Sequence, residues 1–260
     1  MTAHEHVPVL IVGAGGAGLS LSLLLQQQGV SSMLIERRSD VSWHPRARNL
    51  NFRTLEVFRG LGLTSEIHAA SEPVSRLFGR ERLASTDQKE LLDPASLLDA
   101  TPFSPEPLLR YCPQSRTEPV LLDAARARGV DVRYNTELGP FTQDEQCVTA
   151  TVIDRATGQS YVVDADYLVG ADGAHSRVRE TLAIPTHGQG ILDEHYVFIY
   201  ARAAWNQLVR GYESDAFLID NPDVRGIFII AERTWGCSWS PITHHKTKMP
   251  RPSPSSAPGS

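Results

Sequence analysis

The sequence predicts an α/β fold built on a parallel sheet, and three observations carry that prediction. The apolar run Val9-Leu10-Ile11-Val12 passes at once into Gly13-Ala14-Gly15-Gly16-Ala17-Gly18. A stretch with leucines at 19, 21, 23, 24 and 25 follows and closes at Gly29. A second apolar run, Met33-Leu34-Ile35, then ends in Glu36. Strand, glycine-rich turn, helix and a strand with a terminal acid make the βαβ of a Rossmann-like, dinucleotide-binding unit.

Each part has its own physical reason. The first strand is apolar throughout, as suits a parallel strand covered on both faces. Gly13 permits the tight turn, Gly15 lets the backbone approach a pyrophosphate, and Gly18 lets the helix pack on the strand. The helix, from about 16 to 28, starts at Gly16 and Ala17 and directs its first amides and its dipole at phosphates. Glu36 can accept hydrogen bonds from a ribose diol and disfavours a 2′-phosphate, so the site suits FAD or NAD better than NADP. Arg37, beside it, joins the candidate cofactor-binding set. A strand–turn–helix without a ligand is the competing reading of the glycine run alone; the preceding strand, following helix and terminal acid favour the dinucleotide.

Further along, Leu55 and Phe58 fall at helical spacing over 51–59, with Gly60 or Gly62 as the stop. Residues 73–110 are rich in Pro, Ser and Asp and read as short strands and long loops. Thr117-Glu118-Pro119 reads as a helix start, with Pro in the first turn and Gly129 at the end. Residues 130–134 alternate as a strand, 148–154 and 160–163 read as a hairpin, and 167–170 as a separate short strand. A helix is predicted near 176–182, and strands over 196–203, 216–220 and 226–231. From 241 the chain turns to Pro and Ser with Lys246, Lys248 and Arg251 and no acid, a composition that cannot repay ordering and predicts a disordered tail.

Composition narrows the function classes. The 260 residues are 41% hydrophobic and 21% charged, as in soluble globular proteins. A net charge of −5 offers no basic field for nucleic acid. Three widely spaced cysteines, Cys112, Cys147 and Cys237, suggest reduced thiols in a cytoplasmic setting. No signal-peptide pattern opens the chain, and no apolar run reaches the roughly 20 residues that span a bilayer. His244-His245 has no third partner and makes no convincing metal site.

Three further stretches point to one family: Pro45-Arg46-Ala47-Arg48-Asn49-Leu50-Asn51-Phe52-Arg53-Thr54-Leu55-Glu56, Tyr111-Cys112-Pro113-Gln114-Ser115-Arg116-Thr117-Glu118-Pro119, and Leu168-Val169-Gly170-Ala171-Asp172-Gly173-Ala174-His175-Ser176-Arg177-Val178-Arg179. With the glycine run, and in this order, they resemble the single-component FAD-dependent aromatic-ring monooxygenases of the para-hydroxybenzoate hydroxylase type. The nearest flavour is the phenol and polyketide hydroxylase branch. The resemblance covers roughly 7–235.

The resemblance implies roles residue by residue. Gly13, Gly15 and Gly18 would hold the FAD pyrophosphate and Glu36 the adenosine ribose. Arg46 would approach the cofactor's phosphates, where a guanidinium fork can donate two bonds. Gln114 would lie near the ribityl chain, and Asp172-Gly173 would contact FAD and be linked to nicotinamide use. Arg53 and Arg116 are weaker matches, and His175 is read as structural or exposed. No catalytic side chain is implied, because the chemistry would belong to the flavin: reduction by NADPH or NADH, reaction with O2 through a flavin C4a-hydroperoxide, and hydroxylation of a small phenolic or polyketide-like ring.

The implied organisation is a Rossmann-like FAD-binding domain (7–75 and 111–185) interleaved with a partial β-sheet substrate domain (76–110 and 186–240), then a disordered tail (241–260). The family's later Gly-Asp signature, which packs on the ribityl phosphate, is absent, so the chain is expected to be a C-terminally truncated member. Two alternatives stay open, an FAD-binding protein without activity and an NAD-dependent dehydrogenase. Arg46, Gln114 and Asp172 argue against the second, which needs none of them.

Overall fold

The computed structural model describes residues 4–242 apart from 45, 98, 191–194, 204–208, 210–213, 215 and 233–234. In chain order the elements are β1 (His4–Val12), α1 (Gly16–Gln27), β2 (Ser32–Ile35), β3 (Asn49–Asn51), α2 (Phe52–Gly60), α3 (Thr64–Ala70) and β4 (Glu72–Pro73). Next come β5 (Leu77–Arg80), β6 (Lys89–Leu92), a 3-10 turn at Pro94–Ser96, β7 (Leu109–Tyr111), α4 (Gln114–Ala127), β8 (Asp131–Arg133) and β9 (Thr136–Gln143). The remainder are β10 (Val148–Asp154), β11 (Ser160–Gly170), α5 (Arg177–Thr181), β12 (His195–Arg202), β13 (Ala216–Asp220), β14 (Arg225–Glu232) and β15 (Trp235–Ile242).

The chain divides into two units, one from 1–74 and 94–187, the other from 75–93 and 188–260. In the first, a six-stranded sheet runs β8-β2-β1-β11-β10-β9. β8, β2, β1 and β11 are mutually parallel, while β10 pairs antiparallel with β11 and with β9. Successive side chains of a strand point to opposite faces, and β1 supplies both. Val9 and Ile11 pack with Leu19 and Leu23 of α1 and Leu121 of α4, whereas Leu10 and Val12 pack with Met33, Ile35, Ala150, Val152 and Val163. That double burial is why β1 reads as an unbroken apolar run. The α/β class and its parallel-sheet βαβ are thus present as the sequence predicts.

Several boundaries differ from the sequence reading. The helix placed from Thr117 begins at Gln114, because Pro113 rather than Thr117 is its N-cap. The Arg116 and Thr117 amides already donate to the Pro113 carbonyl, and Pro119 sits inside the helix. The two short strands at 160–163 and 167–170 are one strand, β11, aligned along its length by β1. α3 was not foreseen. Residues 94–110 belong with the first unit and not with 76–93, since β7 pairs with β3 and β4, and buried Glu106 accepts from Arg59 and His68 of α2 and α3.

The second unit is a six-stranded sheet in the order β12-β15-β14-β13-β5-β6, with Phe78, Phe217 and Phe228 in its core. β15 lies beyond the last strand that the sequence predicts, and its end, 241–242, falls in the segment predicted to be disordered. It is held by antiparallel partners on both sides, β12 and β14, and runs to Ile242. The rest of the predicted disordered segment, 243–260, lies outside the described residues.

Candidate cofactor site

The glycine run leaves β1 under constraints set by the protein's own backbone. Gly13 has φ +106°, and its amide donates to the Ile35 carbonyl. A Cβ there would lie 2.5 Å from the Ala171 carbonyl oxygen. At Gly18 a Cβ would lie 1.9 Å from the Gly13 carbonyl oxygen. Gly15 is different: the nearest atom to its Cβ position is Glu118 Oε1 at 3.6 Å, and around Gly16 nothing lies within 4 Å. Gly13 and Gly18 are therefore fixed by folding, while the bare backbone at Gly15 leaves space for something outside the protein. α1 starts there without a side-chain cap or a first-turn acid, so its first amides and dipole are left for an external acceptor.

Within the first unit, Gly13, Gly15, Glu36, Arg37, Arg46, Gln114, Asp172 and Gly173 line one cavity of about 590 Å³. Gly16, Ala17 and Gly18 do not line it; Gly18 is buried between α1 and β1, and Gly16 and Ala17 form the first turn of α1. The cavity also takes in residues the sequence reading left out, among them Arg38, Thr136, Glu137, Leu138 and Arg177. Glu137 is ion-paired to Arg177. These β9 residues carry no motif; alternation on a strand after an αβ unit was the signal open to a reader.

Glu36 is buried, and its carboxylate is already in use. Oε2 accepts from the Ala14 amide at 3.0 Å, and Oε1 accepts from the Arg38 amide at 3.0 Å and Nε at 3.1 Å. The acid thus ties the glycine turn to the end of β2 and retains lone pairs for a diol. Gln114 donates from its side-chain amide to Glu118. Exposed Arg46 is held through its backbone, its amide donating to the His44 carbonyl at 2.8 Å.

Asp172 has two different oxygens. Oδ2 accepts from the Arg177 amide at 2.7 Å and the Val178 amide at 3.3 Å, and so caps α5 alongside Ser176. Oδ1 is buried with no hydrogen-bond partner among the described residues. Gly173 follows at φ +86°, a left-handed turn that suits glycine. Cys112 is buried beside Thr117, and burial pushes its thiol pKa up, which disfavours the thiolate. His175 lines the cavity.

Behind the glycine turn, the hydroxyl of Tyr134 is buried without a partner among the described residues. Its pKa is pushed up to about 12, by burial first and then by the Glu118 and Glu36 carboxylates. A phenol that ionises less readily folded than unfolded loses stability as pH rises from about 10 toward 12. Tyr134→Phe should raise stability by on the order of 1 kcal/mol, since it removes an unsatisfied buried group, and should flatten that alkaline loss. Urea melts of both proteins between pH 8 and 12 test this; equal alkaline slopes would refute it.

Residues 6–254 match the FAD binding domain family. The chain belongs to it. Among curated relatives, it is 35% identical over 250 residues to a tetracenomycin A2 monooxygenase-dioxygenase of Streptomyces glaucescens, covering 88% of this chain and 43% of the relative. It is 41% identical over 194 residues to a putative polyketide hydroxylase of Streptomyces coelicolor, covering 72% and 30%. Among solved structures, it superimposes with a TM-score of 0.82 and 29% identity on aklavinone-11 hydroxylase in complex with FAD and aklavinone, covering 94% of this chain and 47% of that one. The flavin-dependent monooxygenase PieE, in complex with FAD and substrate, gives 0.81 and 30%, covering 94% and 44%. The chain therefore spans less than half the length of these relatives. No helix among the described residues is long and apolar enough to cross a membrane.

The FAD domain's own chemistry agrees with that membership. A buried acceptor without a donor, Asp172 Oδ1, and the uncapped start of α1 after Gly15 suit a hydroxyl-rich, phosphate-bearing ligand.

Proposed function

We propose that this chain is the FAD-holding part of a flavoprotein monooxygenase that hydroxylates a small aromatic, phenolic or polyketide-like molecule with O2 and NADPH or NADH. The observation that carries the reading is the single cavity shared by Gly15, Glu36, Arg46, Gln114 and Asp172, residues drawn from four separate stretches of sequence. Family membership and the polyketide hydroxylases among the relatives support it.

In this reading Gly15 and the first amides of α1 take the pyrophosphate, Glu36 accepts from the adenosine ribose, and Arg46 approaches the phosphates from the facing loop. Arg37 lies beside the ribose, Gln114 beside the ribityl chain, and Asp172 Oδ1 accepts from the cofactor. When bound, FAD supplies hydride acceptance and O2 activation; the chain's residues bind, orient and exclude water. The same reading sets the protein in the cytoplasm, with Cys112 and Cys147 as free thiols.

The test is the visible spectrum of the purified chain, followed by NADH and NADPH consumption with a panel of phenols and polyketides. Yellow protein whose reductant consumption rises with a phenol and gives hydroxylated product supports the reading. Yellow but inert protein supports FAD binding without turnover by this chain. Colourless protein that takes up no added FAD overturns the assignment. Gly15→Asp places a carboxylate against the pyrophosphate position and close to Glu118, and should abolish FAD retention; undiminished retention would remove the pyrophosphate from Gly15.

A further inference from the structure

Glu118 has no role in the reading above, yet it is a carboxylate at 1% exposure on the inner face of α4. Its neighbours on that face are Leu121, Leu122 and Ala125, all buried. Burying a carboxylate costs several kcal/mol before its partners are counted, and an apolar residue of similar volume would fill such a place at less cost. No cation pairs with it among the described residues. Its partners are two neutral donors: the Ser42 amide donates to Oε2 at 3.2 Å, and the Gln114 side-chain amide donates to Oε1.

Those two bonds lead to two cavity residues. Gln114 lines the cavity, and with one N–H of its amide given to Glu118 its carbonyl oxygen, an acceptor, lies on the other side of the group. From Ser42 a short relay continues. Ser42 Oγ accepts from the His44 amide at 3.3 Å, and the His44 carbonyl accepts from the Arg46 amide at 2.8 Å. Beyond Arg46, the Ala47 carbonyl accepts from the Gln114 backbone amide at 2.8 Å. The arginine loop is thus pinned on both sides of Arg46, and the Ser42 pin runs through a side chain's charge. Glu118 Oε1 also stands nearest to Gly15 on its underside.

We propose that Glu118 is the positioning residue of the cavity: one buried carboxylate turns the Gln114 amide so that its carbonyl is presented to ligand hydroxyls, and anchors the loop that carries Arg46. This rests on the FAD reading for the identity of the ligand. The anchoring itself does not.

The experiment uses the full chain and three variants. In Glu118→Gln, one side-chain oxygen can still accept from Ser42, but the new NH2 meets the Gln114 NH2, and Gln114 must turn over. FAD binding, read from flavin fluorescence, should weaken about tenfold, as for one lost neutral hydrogen bond, while tryptic cleavage after Arg46 stays at the wild-type rate. In Glu118→Ala both anchors go, and cleavage after Arg46 should be several-fold faster. The exchange Gln114→Glu with Glu118→Gln restores a donor–acceptor pair in the opposite sense and should regain most of the affinity, which a merely space-filling role would not produce. Wild-type affinity in Glu118→Gln, no regain in the exchange, or unchanged cleavage in Glu118→Ala would each overturn the proposal. Should the wild-type chain take up no FAD, the flavin reading falls, and the cleavage rates still decide whether Glu118 anchors the loop. If Glu118→Ala does not fold, Glu118→Gln and the exchange decide the matter.

Discussion

Gly18→Ala is expected to lower stability by about 3 kcal/mol or more, at the upper end of what overpacking costs. In a chain of this size that lowers the thermal midpoint by roughly 6–12 °C. The new Cβ would stand 1.9 Å from the Gly13 carbonyl oxygen, and the next obstacles are the Gly13 carbonyl carbon and Leu34. The first two are backbone atoms in the turn between β1 and α1, so relief requires α1 to move away from the sheet. That motion would unseat Leu19 and Leu23, both fully buried. Gly16→Ala is the matched comparison: open space surrounds the position, and the change should be neutral or stabilising by up to about 1 kcal/mol. Differential scanning calorimetry of both variants without added cofactor checks the pair; similar midpoints would mean the turn is far more compliant than the distances allow.

Asp172→Asn should separate the two duties of that side chain. The cap on α5 needs one acceptor oxygen, facing the Arg177 and Val178 amides, and asparagine keeps it. The thermal midpoint should therefore stay within a few degrees of wild type. The oxygen without a partner is replaced by an NH2, a donor in place of an acceptor on a side chain that lines the cavity. Loss of a charge-assisted bond at that point should weaken FAD binding by roughly 10–100-fold. Equilibrium titration with FAD measures it. Asp172→Ala should lose the same affinity and, in addition, about 1 kcal/mol of stability from the missing cap. If Asp172→Asn binds FAD as wild type does, Oδ1 does not face the cofactor.

The parts of the molecule that the sequence announces are those whose causes are local. The glycine turn, α1 and the acid after β2 sit within about thirty residues of one another, and each residue's task follows from its own backbone or charge. Asp172-Gly173 was visible because a turn uses a short spacing, while the capping of α5 by Asp172 and Ser176 was not read from the sequence. What stayed hidden depends on distant partners. Thr136, Glu137 and Leu138 enter the cavity because β8 pairs with β2 and the turn after it brings the start of β9 to Glu36, whose carbonyl accepts from the Thr136 amide. Residues 94–110 carry no periodicity that tells which sheet β7 joins. β15 contains Gly236 and Pro241, poor strand formers, and exists because two neighbours hold it. Glu118 did leave a trace: in the pattern 118, 121, 122, 125 it is the charged member of an otherwise apolar helix face. A charge on an apolar stripe is a question that only the partners answer.

The register that joins His4 to Val162 and Val12 to Gly170 sets a schedule for synthesis as well as a geometry. β1 leaves the ribosome about 158 residues ahead of the strand that covers one of its edges, and the whole 75–93 segment of the other unit goes by in between. At roughly 5–20 residues per second that is on the order of 8–30 s. Throughout that interval Leu10 and Ile11, which end with no exposed surface at all, belong to the apolar stretch Val9–Val12, β-prone and without a charge of its own. Long-range pairing of this kind is slow to close and open to wrong partners. The glycine turn is thus written early and completed late, and the strand that it departs from, β1, is the one of the pair that waits for its partner.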